Sequence, residues 1–471
     1  MKNTYITTAI PYVNGAPHIG HAMDYCQADT YARFRRMMGD NVRFQAGTDE
    51  HGNKIFQKAQ ELGIPTEEYV QQNSDKFREF IGKLGVEYTD FVRTTDDDHE
   101  KRVQEIWKRL SDHIYMNKYE GWYCSGCERF VTDKECEENG GICPDHQREY
   151  ERLSEENYYF RISDFKERIN TAILSDEMRI LPEYRKKEII KLIEDSPDVS
   201  ISRPTSQLTW GVPVPGDDSQ VMYVWIDALS NYITVLGYPD EDISEWWPAA
   251  AQFLGKDILR FHAIIWPAML LGLSLPLPKV ISTHGFILAD GQKMSKSIGN
   301  VVDPMKVLDK HGVDAFRYFF LRHMDTFSDS DFTWEKFETA YNSELANDLG
   351  NLVQRLATLC KKNGISNVET QAQEFPSEYV AMMNNFEFSK AFDYVWEKVQ
   401  GLNRQIDEEK PWVLAKNGEA DKLNACLCDL VKKMREANNM LKPFLPNAAE
   451  KIEAVFAAPI EPPETPLFPK D

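Results

Sequence analysis

Two histidines three residues apart open the part of this sequence that can do chemistry. His18 and His21 follow a β-branched, apolar stretch and a Pro/Asn/Gly turn, and only Gly20 interrupts helix-compatible residues between Pro17 and Met38. The pattern predicts a strand that enters a helix at Pro17, with both imidazoles on one face of the first turn. Helix N-termini favour anions, phosphate above all. The pair therefore predicts a nucleotide-phosphate site; a purely structural pair is the alternative.

A second stretch with chemical potential lies about 270 residues later. Residues 290–300 read Asp-Gly-Gln-Lys-Met-Ser-Lys-Ser-Ile-Gly-Asn, with cations at Lys293 and Lys296. A glycine-flanked loop rich in cations and donors is suited to closing over a polyphosphate and releasing it. We therefore expect the two lysines to act on the same phosphates as the histidines.

Paired metal-ligand types occur in the middle of the chain. Cys124 and Cys127 form one CxxC turn, and Cys143 and His146 form a CxxH turn after fifteen intervening residues. Two such turns complete a tetrahedral zinc site with no open position, so the pattern predicts one structural Zn²⁺ ion. A reduced thiol cluster without metal is the alternative. Cys136 lies between the turns among charged residues, and we expect it to be a surface thiol.

Composition limits the class of protein. With 471 residues, 42% hydrophobic and 12% aromatic, the chain is expected to form two to four globular domains. The net charge of -21 argues against a generally basic nucleic-acid coat, so any nucleic-acid contact needs local basic patches. The apolar run 263–275 contains Pro267 and is too short for a bilayer. A soluble, cytoplasmic protein without a disulfide framework is expected.

Hydrophobic periodicity predicts the elements that position these residues. Strands alternating with helices indicate an α/β fold with a doubly wound parallel sheet, whose ligands bind at the carboxyl ends of the strands. Ile10, Tyr12 and Asp49 lie at such ends. The expected helices cover 66–84, 98–117 and 258–271, and the expected strands cover 41–52, 90–95, 252–254 and 279–288.

Two regions depart from this alternation. The zinc pattern and the helices expected at 163–175 and 182–195 indicate an inserted domain, after which Trp210 onward is expected to resume the sheet. From Glu335 the strand signals stop, and helical segments at 335–364, 377–407, 419–442 and 446–456 predict a bundle. Residues 459–471 are proline-rich and are expected to form an extended tail.

The combination of motifs resembles a known family. His-Ile-Gly-His at 18–21 and Lys-Met-Ser-Lys-Ser at 293–297 are similar to the paired signatures of class I aminoacyl-tRNA synthetases. Ala-Ile-Pro-Tyr-Val-Asn-Gly at 9–15, Gly-Thr-Asp-Glu-His-Gly at 47–52, Tyr-Val-Trp-Ile-Asp-Ala at 223–228 and Lys-Asp-Ile-Leu-Arg-Phe-His at 256–262 resemble the methionyl branch. Leucyl, isoleucyl and valyl enzymes carry large editing insertions, which a chain of 471 residues does not accommodate. Cysteinyl enzymes use a catalytic zinc with a ligand pattern different from the one found here.

The resemblance implies a domain order. A Rossmann-like nucleotide-binding catalytic domain is expected in two halves, 1–115 and 210–285, separated by a connective insertion with the zinc knuckle at 116–209. A linker domain at 286–340 is expected to carry the lysine loop and contact the tRNA stem. An all-α helical anticodon-binding domain is expected at 341–471.

The resemblance also implies an activity, that of a methionine–tRNA ligase. L-methionine is activated with Mg²⁺-ATP to methionyl-adenylate and pyrophosphate, and methionine then passes to the 3′-terminal ribose of tRNA(Met). Another small class I synthetase and a catalytically silent relative that only binds tRNA remain the alternatives. A monomer is expected.

Site residues follow from the matching positions. The resemblance implies catalytic roles for His18, His21, Lys293 and Lys296, and ATP contacts from His18, Gly20, His21, Gly255, Asp257 and Lys296. The implied methionine pocket consists of Ile10, Tyr12, Asp49, Val224, Trp225, Ala228, Leu229, Tyr232, Ile258, His262 and Trp266. From spacing alone, Ile258, His262 and Trp266 are equally compatible with a core stripe.

The implied anticodon readers are Asn351, Arg355 and Trp412. Asn351 and Arg355 lie four residues apart, so they share a helix face, and Trp412 follows a proline at a helix break. An exposed indole there provides a stacking platform for a base. The alternative places Trp412 in the core and gives Asn351 a capping role.

Overall fold

The computed structural model describes residues 1–124, 129–144, 147–294, 302–369 and 374–470. In the first part, strands and helices alternate as predicted. The elements are β1 (Asn3–Thr8), α1 (Ile19–Met37), β2 (Asn41–Thr48), α2 (Asn53–Leu62), α3 (Thr66–Lys83), β3 (Asp90–Arg93) and α4 (Asp97–Arg109).

The middle of the chain contains short strands and helices. The first group is β4 (Ile114–Cys124), β5 (Arg129–Val131), α5 (Asp133–Glu138), β6 (Glu151–Phe160), α6 (Lys166–Leu174), β7 (Arg179–Leu181), α7 (Arg185–Asp195), β8 (Val199–Ser200) and β9 (Ser202–Pro204). The second is β10 (Pro213–Val214), β11 (Asp217–Met222), α8 (Val224–Thr234), β12 (Ala251–Gly255), α9 (Trp266–Gly272), β13 (Val280–His284), β14 (Ile287–Ala289) and β15 (Gln292–Lys293).

The last part is helical apart from one short strand. It consists of α10 (Pro304–Tyr318), β16 (Ser330–Phe332), α11 (Trp334–Ala340), α12 (Asn351–Lys362), α13 (Ser377–Asn384), α14 (Phe388–Glu409), α15 (Pro411–Lys416), α16 (Ala420–Leu441) and α17 (Pro446–Val455). Helical segments of 3-10 or π geometry cover Ser111–His113, Ile162–Asp164, Lys256–Ile258, Phe261–Ile265, Phe319–His323 and Tyr341–Gly350.

The central sheet confirms the predicted doubly wound α/β fold. Its order is β3-β2-β1-β12-β13-β7, and every neighbouring pair is parallel. The chain moves outward from β1 to β2 and β3 on one side and returns to β12 on the other. A crevice therefore opens at the carboxyl ends of β1 and β12, the switch point where such sheets bind ligands.

The inserted region is built on an antiparallel sheet of order β5-β4-β6-β8. The helix expected at 98–117 ends at Arg109, because residues from Ile114 pair with β6 instead, with Ile114 opposite Phe160. Tertiary pairing of β-branched and aromatic residues here outweighs helical periodicity. β7 returns from within 116–209 to pair with β13, so this segment also contributes to the catalytic sheet.

Two further expectations about strands are wrong. The residues directly after Trp210 do not resume the central sheet, because β10 and β11 form a separate antiparallel sheet with β9; the chain rejoins the central sheet only at β12. The strand expected at 279–288 is divided: β13 ends at His284, and β14 joins β15 and β16. Gly285 marks the division, since a Cβ there would lie 2.2 Å from the Ser328 backbone. Only glycine permits that approach.

The helical bundle packs directly on the catalytic half. Tyr31 of α1 and Phe253 of β12 contact Phe386, with ring centroids 4.6 and 5.6 Å apart. The buried Arg317 of α10 donates to the Phe444 carbonyl at 2.8 Å and pairs with Asp29 of α1 at 2.7 Å. One apolar core therefore runs from β1 through α1 into the bundle.

The proline-rich C-terminal segment is not a free tail. Phe468 is 7% exposed, and Ile460 is buried. The Ile460 N–H donates to the Ser366 carbonyl at 2.9 Å, and the Tyr341 hydroxyl donates to the Pro469 carbonyl at 2.6 Å. Apolar side chains between the prolines thus hold this segment on the bundle.

Among the described residues, no helix is both long and apolar enough to cross a membrane.

Candidate active site

A cavity of about 380 Å³ lies at the switch point of the central sheet. Its walls come from the ends of β1, β2, β12 and β13, the first turn of α1, and α8. Many residues predicted from sequence line it: Ile10, Tyr12, His18, Gly20, His21, Asp49, Trp225, Ala228, Leu229, Tyr232, Gly255, Asp257, Ile258 and His262. The fold thus brings together positions up to 252 residues apart.

The two histidines cap helix α1. His18 has extended backbone dihedrals, so α1 begins at Ile19 and not at Pro17. The Gly20 N–H donates to His18 Nδ1 at 3.1 Å, and the His18 N–H donates to His21 Nδ1 at 3.1 Å. Each Nδ1 is therefore an acceptor, which leaves the ring hydrogen on Nε2.

The two rings form a stacked donor pair. Their centroids are 3.8 Å apart with 27° between the planes. Burial and the neighbouring His18 ring hold the pKa of His21 well below its usual value. A neutral imidazole in this tautomer offers an Nε2–H donor to an anion without adding a buried charge. The geometry suits phosphate oxygens at a helix N-terminus.

Two glycines keep the phosphate side of the cavity open. A Cβ on Gly20 would lie 3.0 Å from the His18 ring, and one on Gly255 would lie 2.8 Å from Asp257 Oδ1. Both glycines line the cavity. Larger residues would displace the side chains expected to contact ATP.

Asp49 is a buried carboxylate without a full set of partners. It follows β2, and its backbone is bridged to Pro11 and Val13, with the Asp49 N–H donating to the Pro11 carbonyl at 2.9 Å. The side chain is 6% exposed, and no group among the described residues bonds to Oδ1. Burial and the nearby Asp227 raise the pKa of Asp49 well above its usual value. An incoming ammonium group would satisfy this carboxylate and lower its pKa.

A buried charge network lies behind Asp49. Asp227 on α8 accepts from His51 Nδ1 at 2.7 Å and from His99 Nε2 at 2.9 Å. Burial favours the neutral form of His51, but the charge of Asp227 and a contact to Glu100 raise its pKa to about 10. Burial likewise opposes ionisation of Asp227, but the two histidines lower its pKa to about 2. The network ties β2, α4 and α8 together behind the cavity.

The apolar side of the cavity contains one polar pair. The Tyr232 hydroxyl lies 2.7 Å from His262 Nε2, and His262 Nδ1 donates to the Ile258 carbonyl at 3.0 Å. Since Nδ1 is the donor, Nε2 accepts and Tyr232 donates to it. Burial lowers the pKa of His262 to about 4, so the ring is neutral at pH 7. His262 lies in the π-helical turn Phe261–Ile265, a type of irregularity common at functional sites.

Two predicted pocket residues lie outside the cavity walls. Trp266 is fully buried behind Tyr232, with ring centroids 5.6 Å apart, and it also packs on Trp247. Val224 lines a neighbouring cavity instead. Spacing alone could not separate them from the lining residues, because one helix face contains both the residues that touch the cavity and those that support them.

Sequence reasoning missed an ion pair on the opposite wall. His284, at the end of β13, has Nε2 2.9 Å from Asp24 Oδ1 and Nδ1 donating to the Gly285 carbonyl at 2.7 Å. Burial favours the neutral forms of both groups and raises the pKa of Asp24. The pKa of His284 is also raised, because the neighbouring Asp24 outweighs the effect of burial. Asp24 follows His21 by three residues on the same helix, and His284 ends a parallel strand. These positions could have identified both as candidate site residues. Asn231, Phe286 and Met294 also line the cavity.

The predicted lysine loop is described only in part. The backbone of Lys293 lies in β15, which pairs with β14 across a turn at Asp290 and Gly291, both with positive φ. Met294 lines the cavity, so the loop starts at its rim. Lys296 lies outside the described residues.

The predicted zinc ligands are likewise described in part. Cys124 and Cys143 are buried in one small cluster with Val131 and Tyr150. The other two predicted ligands, Cys127 and His146, lie outside the described residues. Two buried thiols in one cluster, each next to the end of a turn or strand, fit the soft ligand set that zinc prefers.

The expectation that Cys136 is a surface thiol is wrong. It is 6% exposed and packs in the same cluster as Cys124 and Cys143. The short helix α5 turns the Cys136 side chain inward, where the thiol packs like a small apolar group, while the charged neighbours face solvent. The charged residues around Cys136 in the sequence therefore did not indicate its burial.

The predicted anticodon residues lie together on the bundle surface. Asn351 starts α12 and is exposed, and the Arg355 guanidinium lies 5.0 Å from the Trp412 ring centroid. Arg355 Nη2 also pairs with Asp407 Oδ1 at 2.7 Å. Trp412 is 43% exposed, so the alternative that places it in the core is wrong.

Comparisons with known proteins give a consistent result. A methionine–tRNA ligase of Caldanaerobacter subterraneus subsp. tengcongensis is 42% identical over 96% of this chain and 74% of the relative. One from Thermotoga maritima is 37% identical over 95% of this chain and 74% of the relative. The Mycobacterium tuberculosis methionyl-tRNA synthetase in complex with methionyl-adenylate has a TM-score of 0.91 at 35% identity, covering 100% of both chains.

A further solved structure and a family model point to the same family. The apo form of the same Mycobacterium tuberculosis protein has a TM-score of 0.86 at 32% identity and covers 100% of this chain and 98% of that chain. The family described as tRNA synthetases class I (M) matches residues 4–153 and 146–357. The chain therefore belongs to the methionyl family of class I tRNA synthetases.

Proposed function

We propose that this chain is a methionine–tRNA ligase that acts in two steps in the cavity at the switch point of its sheet. The methionine carboxylate attacks the α-phosphorus of Mg²⁺-ATP, forming methionyl-adenylate as the bond to pyrophosphate breaks. The terminal ribose hydroxyl of tRNA(Met) then attacks the methionyl carbonyl and releases AMP. The charged tRNA serves initiation and elongation of translation in the cytoplasm.

The observation that carries the proposal is the convergence of two kinds of group in one cavity. A stacked pair of neutral histidines at a helix N-terminus suits phosphate, and a buried carboxylate with an unbonded oxygen suits an ammonium group. An amino acid and a nucleotide bound between them would place a carboxylate next to an α-phosphate. Family membership then specifies the amino acid.

In this proposal the methionine ammonium binds Asp49 and the Ile10 carbonyl. The side chain packs against Trp225, Ala228 and Leu229, with Tyr232 and His262 at its polar end. Sulfur contacts with aromatic rings contribute roughly 0.3–1.5 kcal/mol each, so several are needed for selectivity. Because His262 accepts from Tyr232, the Tyr232 hydroxyl hydrogen is already used and its oxygen faces the ligand as a weakly polar surface. Val224 and Trp266 act from behind this wall.

The nucleotide binds on the opposite side. His18 and His21 donate through Nε2 to phosphate oxygens, Gly20 and Gly255 allow close approach, and Asp257 contacts the ATP. Lys293 and Lys296 close over the leaving pyrophosphate. These groups lower the barrier by position and charge, with no covalent enzyme intermediate.

The exchange of pyrophosphate into ATP tests the proposal. Exchange that depends on methionine, and on no other amino acid, is the expected result. Exchange with a different amino acid would favour another small class I synthetase. No exchange with any amino acid, together with tRNA binding, would identify a silent tRNA-binding relative.

We infer a structural zinc ion held by Cys124, Cys127, Cys143 and His146. The two described thiols lie buried in one cluster, which supports the assignment. Zinc here would stabilise the inserted region and take no part in the reaction, because four protein ligands leave no open position. Elemental analysis should find one zinc per chain, and Cys127→Ala should lose it and destabilise the insertion. Wild-type protein without zinc would contradict the assignment.

We infer that the helical bundle, residues 341–471, reads the anticodon through Asn351, Arg355 and Trp412. An exposed indole beside a guanidinium is a combination that stacks with bases and tolerates phosphate. The domain bounds 1–115, 116–209, 210–285 and 286–340 are retained for the remaining parts, with β7 contributing to the catalytic sheet from within the insertion.

A further inference from the structure

The two ends of the proposed methionine site come from different parts of the fold. Asp49 follows β2, and its backbone N–H and carbonyl are both hydrogen-bonded to the segment after β1, at 2.9 and 3.0 Å. The wall formed by Trp225, Ala228 and Leu229 lies on α8, which follows β11 of the separate antiparallel sheet. Pairing within the central sheet therefore places the ammonium end of the site but not the side-chain wall.

Three polar contacts join the β2 region to α8, and we call them the β2–α8 seam. They are Arg43 Nη2 to the Val235 carbonyl at 3.0 Å, Gln45 Nε2 to Asn231 Oδ1 at 2.8 Å, and His51 Nδ1 to Asp227 Oδ2 at 2.7 Å. Positions 227, 231 and 235 are four residues apart, so they share one face of the helix. The seam therefore holds α8 against β2 over about two turns.

The contact of the seam nearest the site is a buried ion pair. His51 lies two residues after Asp49, and Asp227 lies on α8 between Trp225 and Ala228. The side chains of the pair are 5% and 1% exposed. A hydrogen bond between charged groups is shorter than a neutral one and roughly twice as strong. The pair thus fixes the distance between Asp49 and the wall on α8.

A second histidine fixes the orientation of the Asp227 carboxylate. Its Oδ1 accepts from His99 Nε2 at 2.9 Å, and His99 Nδ1 lies 2.7 Å from Thr234 Oγ1 at the end of α8. Since both carboxylate oxygens are bonded, the group cannot rotate without losing a buried hydrogen bond. Oδ2 therefore stays directed at His51.

Stability alone is a weak explanation for a charged pair at this place. A buried ion pair adds little net stability over well-packed apolar residues of similar volume. Its directional bonds do provide a fixed spacing. Spacing matters here because an apolar pocket separates amino acids that differ by one methylene by only about 10–200-fold. A wall that moved outward would lose even this discrimination.

We propose that the Asp227–His51 pair determines how long an amino-acid side chain the site accepts. By holding α8 at a fixed distance from Asp49, the pair keeps the pocket too short for side chains longer than that of methionine. Both are positioning residues, since neither lines the cavity. This inference rests on the proposed function and adds what sets its amino-acid specificity.

Pyrophosphate exchange with two amino acids tests the inference. Ethionine is one methylene longer than methionine, so the ratio of kcat/KM for methionine to kcat/KM for ethionine measures the length selection. His51→Ala removes the bond to Asp227 and should lower this ratio by about 10-fold, the lower end of the discrimination for one methylene. His51→Asn keeps an N–H donor near Asp227 and should retain the wild-type ratio.

A buried ion pair elsewhere separates spacing from stability. Asp29 on α1 is fully buried, pairs with Arg317 and Arg33, and does not line the cavity. Asp29→Asn should lower the free energy of unfolding and leave the methionine-to-ethionine ratio unchanged. A loss of folded enzyme reduces the rates with both amino acids by the same factor, so it cannot change their ratio.

Three outcomes would overturn the inference. They are an unchanged or higher ratio in His51→Ala, a ratio in His51→Asn as low as in His51→Ala, and an equal fall in Asp29→Asn. If His51→Ala does not fold, Asp227→Asn replaces it, because it removes the charge while keeping the volume, and the same fall is expected.

Wild-type protein distinguishes a failure of this inference from a failure of the proposed function. No exchange with methionine in wild type would refute the proposed function itself. Normal exchange with methionine, together with one ratio shared by wild type and every variant, would refute only the role of the Asp227–His51 pair.

Discussion

The catalytic cavity and the candidate anticodon surface hold their side chains in different ways. In the cavity, His18, His21 and His262 are buried or partly buried, and each has a ring nitrogen bonded to the backbone within 3.1 Å. On the bundle, Arg355 and Trp412 are held by one cation–π contact and one ion pair at the surface.

This difference fits the proposed role of each region. Charge that develops in a transition state is stabilised best by groups that need no reorganisation when it appears. A base that arrives on a mobile RNA loop is recognised better by exposed groups that adjust to it. The comparison predicts large, sharp effects in the cavity and smaller, graded effects on the bundle.

The largest effect should come from the stacked histidines. His21→Ala should lower methionine-dependent pyrophosphate exchange by about 10²–10³-fold, because it removes one preorganised donor to the phosphates. The KM for methionine should change little. His113→Ala, in a helical turn outside both cavities, is the matched control and should keep wild-type exchange. Equal activities of the two variants would remove the basis of the comparison.

The next effect concerns the buried network behind the cavity. The pKa of His51 is about 10 in the folded protein and about 6.5 when unfolded. The stabilisation is therefore complete below pH 6.5 and is lost as pH rises from there through 10, by about 1.4 kcal/mol for each pH unit. Denaturant titrations between pH 6 and 10 measure it. His51→Asn, which retains a donor near Asp227 but cannot titrate, should show a shallower decline; an equal slope would contradict the assigned charge.

A smaller effect is expected on the bundle. Trp412→Ala should lower aminoacylation by about 10-fold, since stacking contributes roughly 1–3 kcal/mol for each base. Exchange should be unchanged, because the tryptophan is remote from the cavity. Val413→Ala changes the neighbouring exposed residue of α15 and serves as the control. Full charging activity of Trp412→Ala would show that the anticodon assignment is wrong.

The smallest effect should come from the ion pair that supports Arg355. Asp407→Ala removes a surface partner, and such pairs contribute about 0–1 kcal/mol. The free energy of unfolding should change by less than about 1 kcal/mol, and charging should stay within about 2-fold of wild type. A loss comparable with that of a buried pair would mean that the bundle surface is as rigidly organised as the cavity.

Local sequence patterns were enough to predict many of the separate helices and strands. Hydrophobic period and turn chemistry were sufficient for α1, β2, α3 and the alternation that predicts a doubly wound sheet, because these signals are confined to about a dozen neighbouring residues. His18 was predicted from its residue type at the start of a helix, whereas the roles of Asp49 and His262 came from the resemblance to the methionyl branch.

Which side chains face the cavity and which support it could not be predicted from local patterns. Trp266 shares a helix face with His262 yet lies behind Tyr232, and Asp24 meets His284 only because α1 and β13 end at the same edge of the sheet. Cys136 is buried against Cys124, Cys143 and Tyr150, and Ile114 pairs with Phe160 in a strand where the sequence predicts a helix. Burial and partner choice depend on contacts between residues distant in sequence, and a local pattern contains no information about them.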